Sequence, residues 1–513
     1  MLKLKQRASM LLSAFTGRAP VSPVNVRMQS AGLSRLTQGW NAYQQAADDV
    51  LAYKIGTLRA RARALAEENG EAQGLLLDFE ADIIGASGAK LQFRSTKARG
   101  GPLEAVNDRI EWRWWDWCQK GACTLDGFDD MVSLQRLMIR TVIVDGEFFA
   151  IKHRGRQYTD GFKLQPIDAD LVDDTYNRGP DADGTSIVMG VEIDRHHKPL
   201  FYHIFDRHPN STGARVRRAV PAADVLHVFK RVRVGQTRGV TWFAPALVTW
   251  KLNDQYTESE LVQSMLAAAQ GGFFESEEGV GGTFPTRTVT ENGVKREVPI
   301  DISVEPGVSR ALPPGWSFKP WQPTHPTANF SGFVKVIKRI IARTFGRSYA
   351  SVTGDLESVN FSSIRTDRVR EMEQNRMHQD DILVRQFMTP IFLEWFAMAD
   401  LSNRLGVLPF SAADILRYVS WMCRGWPWID PLKDAAAAQL GIQMRITSPQ
   451  RVCAERGFDF FEIVDEIAEA QAYATLKEVT MDAVNMALSF DASDADAEKK
   501  DTTNKERVLR IAS

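Results

Sequence analysis

Apolar residues in this chain switch between helical and strand-like spacing, and each switch predicts a new element. From Leu36 to Asn69, Leu51, Ile55, Leu58 and Leu65 fall on one side and Arg59, Arg61 and Arg63 elsewhere. That is a helix whose basic residues read as a solvated face, with a binding surface as the alternative. Gln73 to Ile84 continues as helix, Gly85-Ala-Ser-Gly88 ends it, and Lys90-Leu-Gln-Phe-Arg reads as a short strand. A further helix, Leu103 to Lys120, carries Trp112, Trp114, Trp115 and Trp117. These cannot share one helical stripe, so either some face another element or subunit or, the simpler account and the one expected, they make a broad core-facing surface. After a helix over Asp129 to Arg140, alternation takes over. Val142-Ile-Val-Asp-Gly-Glu-Phe-Phe-Ala-Ile-Lys predicts a strand, an Asp145-Gly146 hairpin turn and a second strand. Strand patterns at Phe162, Ile187, Leu200 and Val225 follow, separated by Asp-, Gly- and Pro-rich turns, and make an antiparallel β region.

Helical spacing returns from Thr241 to Gln270, with Trp242, Phe243, Leu247, Trp250, Leu261, Met265 and Leu266, and stops at Gly271-Gly272. Residues 273–325 are an island rich in glycine and proline, with short strands at Arg287-Thr-Val-Thr and Val298-Pro-Ile-Asp-Ile around an Asn292-Gly293 turn. It leaves on one long helix and returns on the next. In that next helix Phe333, Val336, Ile337, Ile340 and Ile341 form an apolar stripe opposite Lys335, Lys338, Arg339 and Arg343. A polar joint from Ser348 to Ser362, with Gly354 beside Asp355 and four serines, then breaks the helix, because local side-chain hydrogen bonds and glycine's freedom in φ compete with it. Helix resumes at Ser362 or Ser363, charge-dense to Asp381 and apolar from Ile382 to Met398. Helices over Lys433 to Met444, Pro449 to Arg456 and Asp459 to about Lys477 form a C-terminal unit. Residues 1–35 read as an arm, and the chain after Phe490 as a fraying, apolar-poor tail. The fold class expected is α+β, mainly α.

With 513 residues, 44% of them hydrophobic, the chain can bury sizeable cores. Sixty-three basic residues balance 64 acidic ones, so any nucleic-acid contact must come from local patches and not from the overall field. Cys118, Cys123, Cys423 and Cys453 are too sparse for a disulfide framework or a metal cluster and read as reduced thiols. No apolar run long enough for a membrane span (about 18 residues) is evident. The setting expected is a reducing cytoplasm, with no membrane partner.

Catalytic patterns are weak. Asp145, Glu147 and Lys152, with Asp168 and Asp170, suggest the carboxylate metal site of a nuclease, but Asp145-Gly146 is also what a tight turn requires. His196-His197 sits at a hairpin tip, and His203 and His227 alternate with apolar strand residues, as satisfied histidines do. There is no Gly-x-x-x-x-Gly-Lys, no Gly-x-Ser-x-Gly and no His-Glu-x-x-His. No enzyme, cofactor or metal is therefore expected. The basic row remains: Lys335, Arg339 and Arg343 at i, i+4 and i+8, continued by Arg347. Such a ridge can follow phosphates without reading bases, or it can simply be a solvated face.

Several blocks, in order, carry a family likeness: Leu164-Gln-Pro-Ile-Asp-Ala-Asp, Val191-Glu-Ile-Asp followed by Pro199-Leu-Phe-Tyr-His-Ile, Val220-Pro-Ala-Ala-Asp-Val-Leu-His-Val-Phe, Gly235-Gln-Thr-Arg-Gly-Val-Thr-Trp-Phe-Ala-Pro, Asn360-Phe-Ser-Ser-Ile-Arg and Trp428-Ile-Asp-Pro-Leu-Lys. Over most of residues 30–480 the chain resembles the lambda-type portal proteins of tailed bacteriophages. Phe361 stands where tyrosine is common in the family, and keeps the aromatic ring.

The resemblance implies a ring, usually dodecameric, at one capsid vertex, through which DNA is packaged and ejected. It implies a wing over 36–240 and 362–440, stem helices over 241–272 and 326–347, a clip over 273–325, a tunnel loop over 348–361 and a helical crown over 441–490. Lys335, Lys338, Arg339, Arg343 and Arg347 would then be channel residues. Ser351, Val352, Thr353, Gly354, Asp355, Leu356, Glu357 and Ser358 would form the tunnel loop, and Glu275, Glu277 and Glu278 would meet the terminase at the clip. Implied partners are further copies of the chain, sequence-independent double-stranded DNA, the terminase large subunit, the major capsid protein and head-tail connector or adaptor proteins. The implied location is the portal vertex of the virion, after synthesis in the host cytoplasm. Whether the basic ridge faces DNA or neighbouring subunits stays open. The rival readings are a metal-dependent nuclease and a structural ring that never touches DNA.

Overall fold

The computed structural model describes residues 44–96, 101, 103–268, 272–276, 286–291, 294–299, 316–320, 330–357, 361–411 and 414–477. The expected arm and tail, Ser358, Glu277, Glu278 and the Asn292-Gly293 turn lie outside them. The chain forms two compact units: one takes residues up to Leu58, 170–222 and 231–239, and the larger takes 59–169, 223–230 and 240 onward.

In the larger unit, helix α1 (Gly70–Ile83) begins at Asn69, whose side chain accepts the Ala72 N–H at 3.0 Å. It buries Ala72, Leu75, Leu76, Phe79 and Ile83 along one stripe. Helix α2 (Glu104–Trp117) divides its tryptophans by angle: Trp114 and Trp117 go into the core, while Trp112 and Trp115 stay exposed. Helix α3 (Met131–Val144) starts in a capping box in which the Asp130 carboxylate accepts the Ser133 N–H and the Ser133 hydroxyl accepts the Asp130 N–H.

Helix α3 corrects the sequence reading. Val142-Ile-Val is its last turn and not a strand, and Asp145-Gly146 is not a hairpin turn. Leu134, Met138, Ile139 and Val142 continue one buried face, so a β-branched run short enough for a strand is taken up by the helix it extends. Gly146 at φ 94° ends it. A Cβ there would lie within 2.6 Å of the Val240 and Thr241 backbone, so glycine is required by space as well as by φ.

Strand Glu147–Arg154 then runs between Phe162–Ile167 and Val225–Phe229 in an antiparallel three-stranded sheet. The core beside it is aromatic. Trp117 stacks on Phe162 at 5.6 Å and donates its indole N–H to the Phe162 carbonyl at 2.9 Å. Trp114 meets Trp395 edge-on at 5.2 Å, and the Trp395 indole donates to Asp160 at 3.2 Å.

Helix α4 (Leu247–Ala268) leads out to the island, and α5 (Phe330–Thr344) leads back. Tyr256 of α4 packs against Phe330 and Phe333 of α5 at 5.6 and 5.3 Å. Within the island Gly272–Ser276 pairs antiparallel with Trp316–Pro320, and Thr286–Glu291 pairs with Val294–Pro299, so one strand pair is nested inside another.

The long helix after the joint has three parts: α6 (Phe361–His378), a π-helical stretch Gln379–Met388, and α7 (Thr389–Leu401). Pro390 accounts for the widening. It has no N–H, and in α register its ring would strike the Gln386 carbonyl. In the wide turn the Thr389 N–H donates instead to Val384, five residues back. This helix has the length and hydropathy of a membrane span. Ile382, Leu383, Phe387, Met388, Ile391, Phe392, Trp395 and Phe396 are all buried, so its apolar character is accounted for by a protein core.

The smaller unit holds a four-stranded antiparallel sheet, Ser186–Val188, Val191–Ile193, Pro199–Phe205 and Arg217–Pro221 in that order. Val191, Ile193, Tyr202 and Ile204 share one face of it and are buried. Arg238 is fully buried there and donates to the Met189 carbonyl at 2.6 Å. Arg217 pairs with Asp173 at 2.7 Å and lies 3.6 Å from the Tyr176 ring centroid.

Candidate functional site

The basic helix and the joint after it are the features to which sequence chemistry pointed. In α5, Ile341 and Ala342 are buried and Ile337 packs against the core, while Phe333, Val336 and Ile340 are 53%, 50% and 57% exposed. The apolar stripe is therefore wider than one chain covers. The basic residues divide as well. Lys338 is paired with Glu71, and Lys335 with Asp355 at 3.3 Å. Arg339 and Arg343 stay exposed, Arg339 lying 5.5 Å from the Tyr349 ring centroid.

Arg347 leaves the row. The helix stops at Thr344, Gly346 turns the chain at φ 71°, and the Arg347 side chain is 2% exposed. It donates to Asp82 at 2.7 Å and to Asn375 at 3.2 Å, with Glu371 at 3.7 Å, and its guanidinium lies over Phe79 at 4.2 Å. Asp82 also receives Arg368 at 2.8 and 3.0 Å and Arg424 at 3.1 Å. Burial alone would raise the Asp82 carboxyl, but the hydrogen bonds and charges of Arg368 and Arg347 outweigh it and hold it below the usual range. Four segments far apart in sequence meet on one carboxylate. Asp82 lies between Ala81 and Ile83 on the buried stripe of α1, and sequence reading passed over it because Asp78 and Glu80 in the same helix make one more carboxylate unremarkable.

The joint is more structured than its composition suggested. Ser348 caps a short helix, Tyr349–Thr353, by accepting the Ser351 N–H at 3.1 Å, and Gly354 closes it at φ 69°. Ser351, Val352 and Thr353 are thus helical and partly buried, whereas Gly354, Leu356 and Glu357 are exposed. Glu371 fixes the near side by accepting the Ser348 N–H at 2.8 Å and the Ser351 hydroxyl at 3.2 Å. The Asp355 carboxyl is held below its ordinary range by the Glu357 N–H, with Lys335 and the Tyr349 hydroxyl adding to it.

Of the nuclease candidates, Asp145, Glu147 and Lys152 are taken up in ion pairs. Arg63 grips both Asp145 oxygens at 2.7 Å and reaches Asp168 at 2.8 Å. Glu147 is fully buried against Arg59 at 2.9 Å and His227 at 3.1 Å, and Lys152 pairs with Glu394 at 3.2 Å. Asp170 lies 3.4 Å from His208. His203 meets Glu192 at 3.3 Å, and His196-His197 lies exposed at its turn. All four cysteines are free; burial pushes the Cys123 and Cys423 thiols up to about 12. Of the terminase candidates, Glu275 sits in the strand Gly272–Ser276 opposite Ser317.

Residues 33–379 match the family described as "Phage portal protein, lambda family". A probable portal protein of Halomonas phage phiHAP-1 is 32% identical over 446 residues, covering 85% of this chain and 84% of that protein. Portal protein B of Escherichia phage lambda is 24% identical, covering 84% and 86%. Among solved structures, a chain from the neck of a native gene transfer agent particle aligns over 79% of this chain and 94% of its own, at a TM-score of 0.42 and 12% identity. A family match over most of the chain, together with relatives called portal proteins along nearly their whole length, establishes that this chain belongs to the lambda family of phage portal proteins, a structural family and not a family of enzymes.

Proposed function

We propose that copies of this chain close into a ring at one vertex of the phage capsid, most simply a dodecamer, and that the ring is the passage for DNA during packaging and ejection. The observation that carries the reading is the exposed apolar surface of the helix pair. Phe333, Val336 and Ile340 of α5 are joined in exposure by Val248, Leu252, Leu261, Val262 and Met265 of α4. Apolar surface on this scale costs free energy in water until another copy covers it.

In this reading α4 and α5 are the stem helices and the nested strand pairs between them the clip. Residues 348–361 form the tunnel loop, 36–240 and 362–440 the wing, and 441–490 the crown. The clip, with Glu275, Glu277 and Glu278 at its edge, meets the terminase large subunit during packaging and head-tail connector or adaptor proteins afterwards. The wing meets the major capsid protein.

Arg339 and Arg343 are the residues of the basic row best placed for DNA, because Lys335 and Lys338 spend their charge on Asp355 and Glu71 and Arg347 spends its charge inside the fold. A ring repeats two exposed arginines per copy, giving many weak phosphate contacts and no tight one, which suits a conduit. The double variant Arg339→Glu/Arg343→Glu tests this: rings should still assemble while packaged DNA falls several-fold. Packaging at the wild-type level would remove the DNA role and favour a ring that never touches DNA.

A further inference from the structure

The smaller unit presents a short exposed segment of alternating character, Arg231-Val232-Arg233-Val234, in which Val232 is 74% and Val234 92% exposed. Its base is tied down. The buried Gln236 side chain accepts the N–H groups of Val232 at 2.9 Å and Arg233 at 3.2 Å and donates to the Arg238 carbonyl at 2.8 Å. Thr237 gives its N–H and its hydroxyl to Asp48 at 2.8 and 2.6 Å, and Arg233 donates to the Gln45 carbonyl at 2.9 Å. This is a pre-shaped basic and apolar hook.

The larger unit carries a surface of the opposite kind. Because α2 buries Trp114 and Trp117, its other side must show Trp112 and Trp115, which are 58% and 60% exposed. Phe128, 77% exposed, follows in the next loop, where Asp126 accepts its N–H at 3.3 Å. Asp108 lies one turn before Trp112 on the same face; Asp108 and Asp126 are exposed, and Asp116 is partly so. The face already suits a guanidinium: Arg113 lies 5.5 Å from the Trp112 ring centroid while pairing with Asp116 at 3.8 Å. Tryptophan and arginine are the residue types that most often anchor interfaces.

A head-to-tail ring needs two unlike, complementary patches on every copy. We infer that the Arg231–Val234 hook of one copy seats on the Trp112, Trp115 and Phe128 face of the next, its arginines over the indole rings and beside Asp108, Asp116 and Asp126, its valines against the rings. The inference rests on the ring reading above and assigns one of its contacts.

The test places cysteines at Trp112 and Val234. Trp112→Cys/Val234→Cys should, on mild oxidation of assembled protein, give a ladder of cross-linked multimers on a denaturing gel. Either single variant should give none beyond the background of the native cysteines, and an equimolar mixture of the two single variants should stop at dimers. In parallel, Arg231→Glu/Arg233→Glu should raise the concentration needed for half-assembly by about tenfold, and adding Asp108→Lys/Asp116→Lys should restore it. Rings visible by electron microscopy with no ladder from the double cysteine variant would overturn this contact and leave the ring intact. Wild-type protein that remains monomeric at every concentration would remove the ring and the contact together.

Discussion

Arg347 shows how far a residue's neighbours in sequence can mislead about its work. Its spacing from Arg343 continues a basic row, but the helix ends three residues earlier and the side chain turns inward to Asp82 and Glu371. Removing it leaves two carboxylates buried beside only part of their counter-charge. Arg347→Met should therefore cost about 3–5 kcal/mol of stability, read by chemical denaturation, whereas a channel residue would lose packaging and leave stability unchanged. His378 is the second residue with a clear prediction. Burial, with Lys230 and Arg347 nearby, lowers its pKa from 6.5 to about 3, and its ring lies 4.8 Å from that of Trp242. The folded protein refuses a proton that the unfolded chain accepts below pH 6.5, so stability is full above that pH and is lost as pH falls toward 3, at up to about 1.4 kcal/mol per pH unit. Thermal unfolding between pH 7 and 4 should fall more steeply in the wild type than in His378→Phe. Parallel slopes would mean that the ring is hydrated or already charged.

At the scale of elements, what was legible depended on whether a segment's neighbours agreed with its own pattern. The two helices flanking the island and the helical break near Gly354 could be read from spacing, whereas the broad core-facing surface expected of the α2 tryptophans is corrected by Trp112 and Trp115, which stay exposed. Val142-Ile-Val could not, because a β-branched run reads as a strand until the buried face of Leu134 and Met138 claims it for the helix. Nor could the π-helical stretch before Pro390, since no periodicity marks it; only the conflict between the proline ring and the Gln386 carbonyl does. The basic row of α5 was legible as a row, but its division into paired lysines and exposed arginines depends on Glu71 and Asp355, which lie on other segments. The same helix offers a test of assembly: Val336→Asp/Ile340→Asp adds charge to side chains that are half-exposed in a single copy. The variant should fold with wild-type circular dichroism and fail to assemble. Normal assembly would mean that this flank faces solvent in the ring.

On the scale of the whole molecule, the mainly helical α+β composition was evident in the sequence, and the expectation of a protein that is not an enzyme is answered by membership of a structural family. Asp145 and Glu147, the strongest enzyme candidates, turn out to be held by Arg63 and Arg59. The ring itself is not a property of one chain's spacing. It enters through family membership, and physically through apolar surface on α4 and α5 that a lone copy leaves in water. Electron microscopy of the purified full-length protein over a range of concentrations tests that claim most directly. The account predicts closed rings of uniform copy number with a bore wide enough for duplex DNA. Monomers at every concentration, or rings whose bore is too narrow for a duplex, would contradict it.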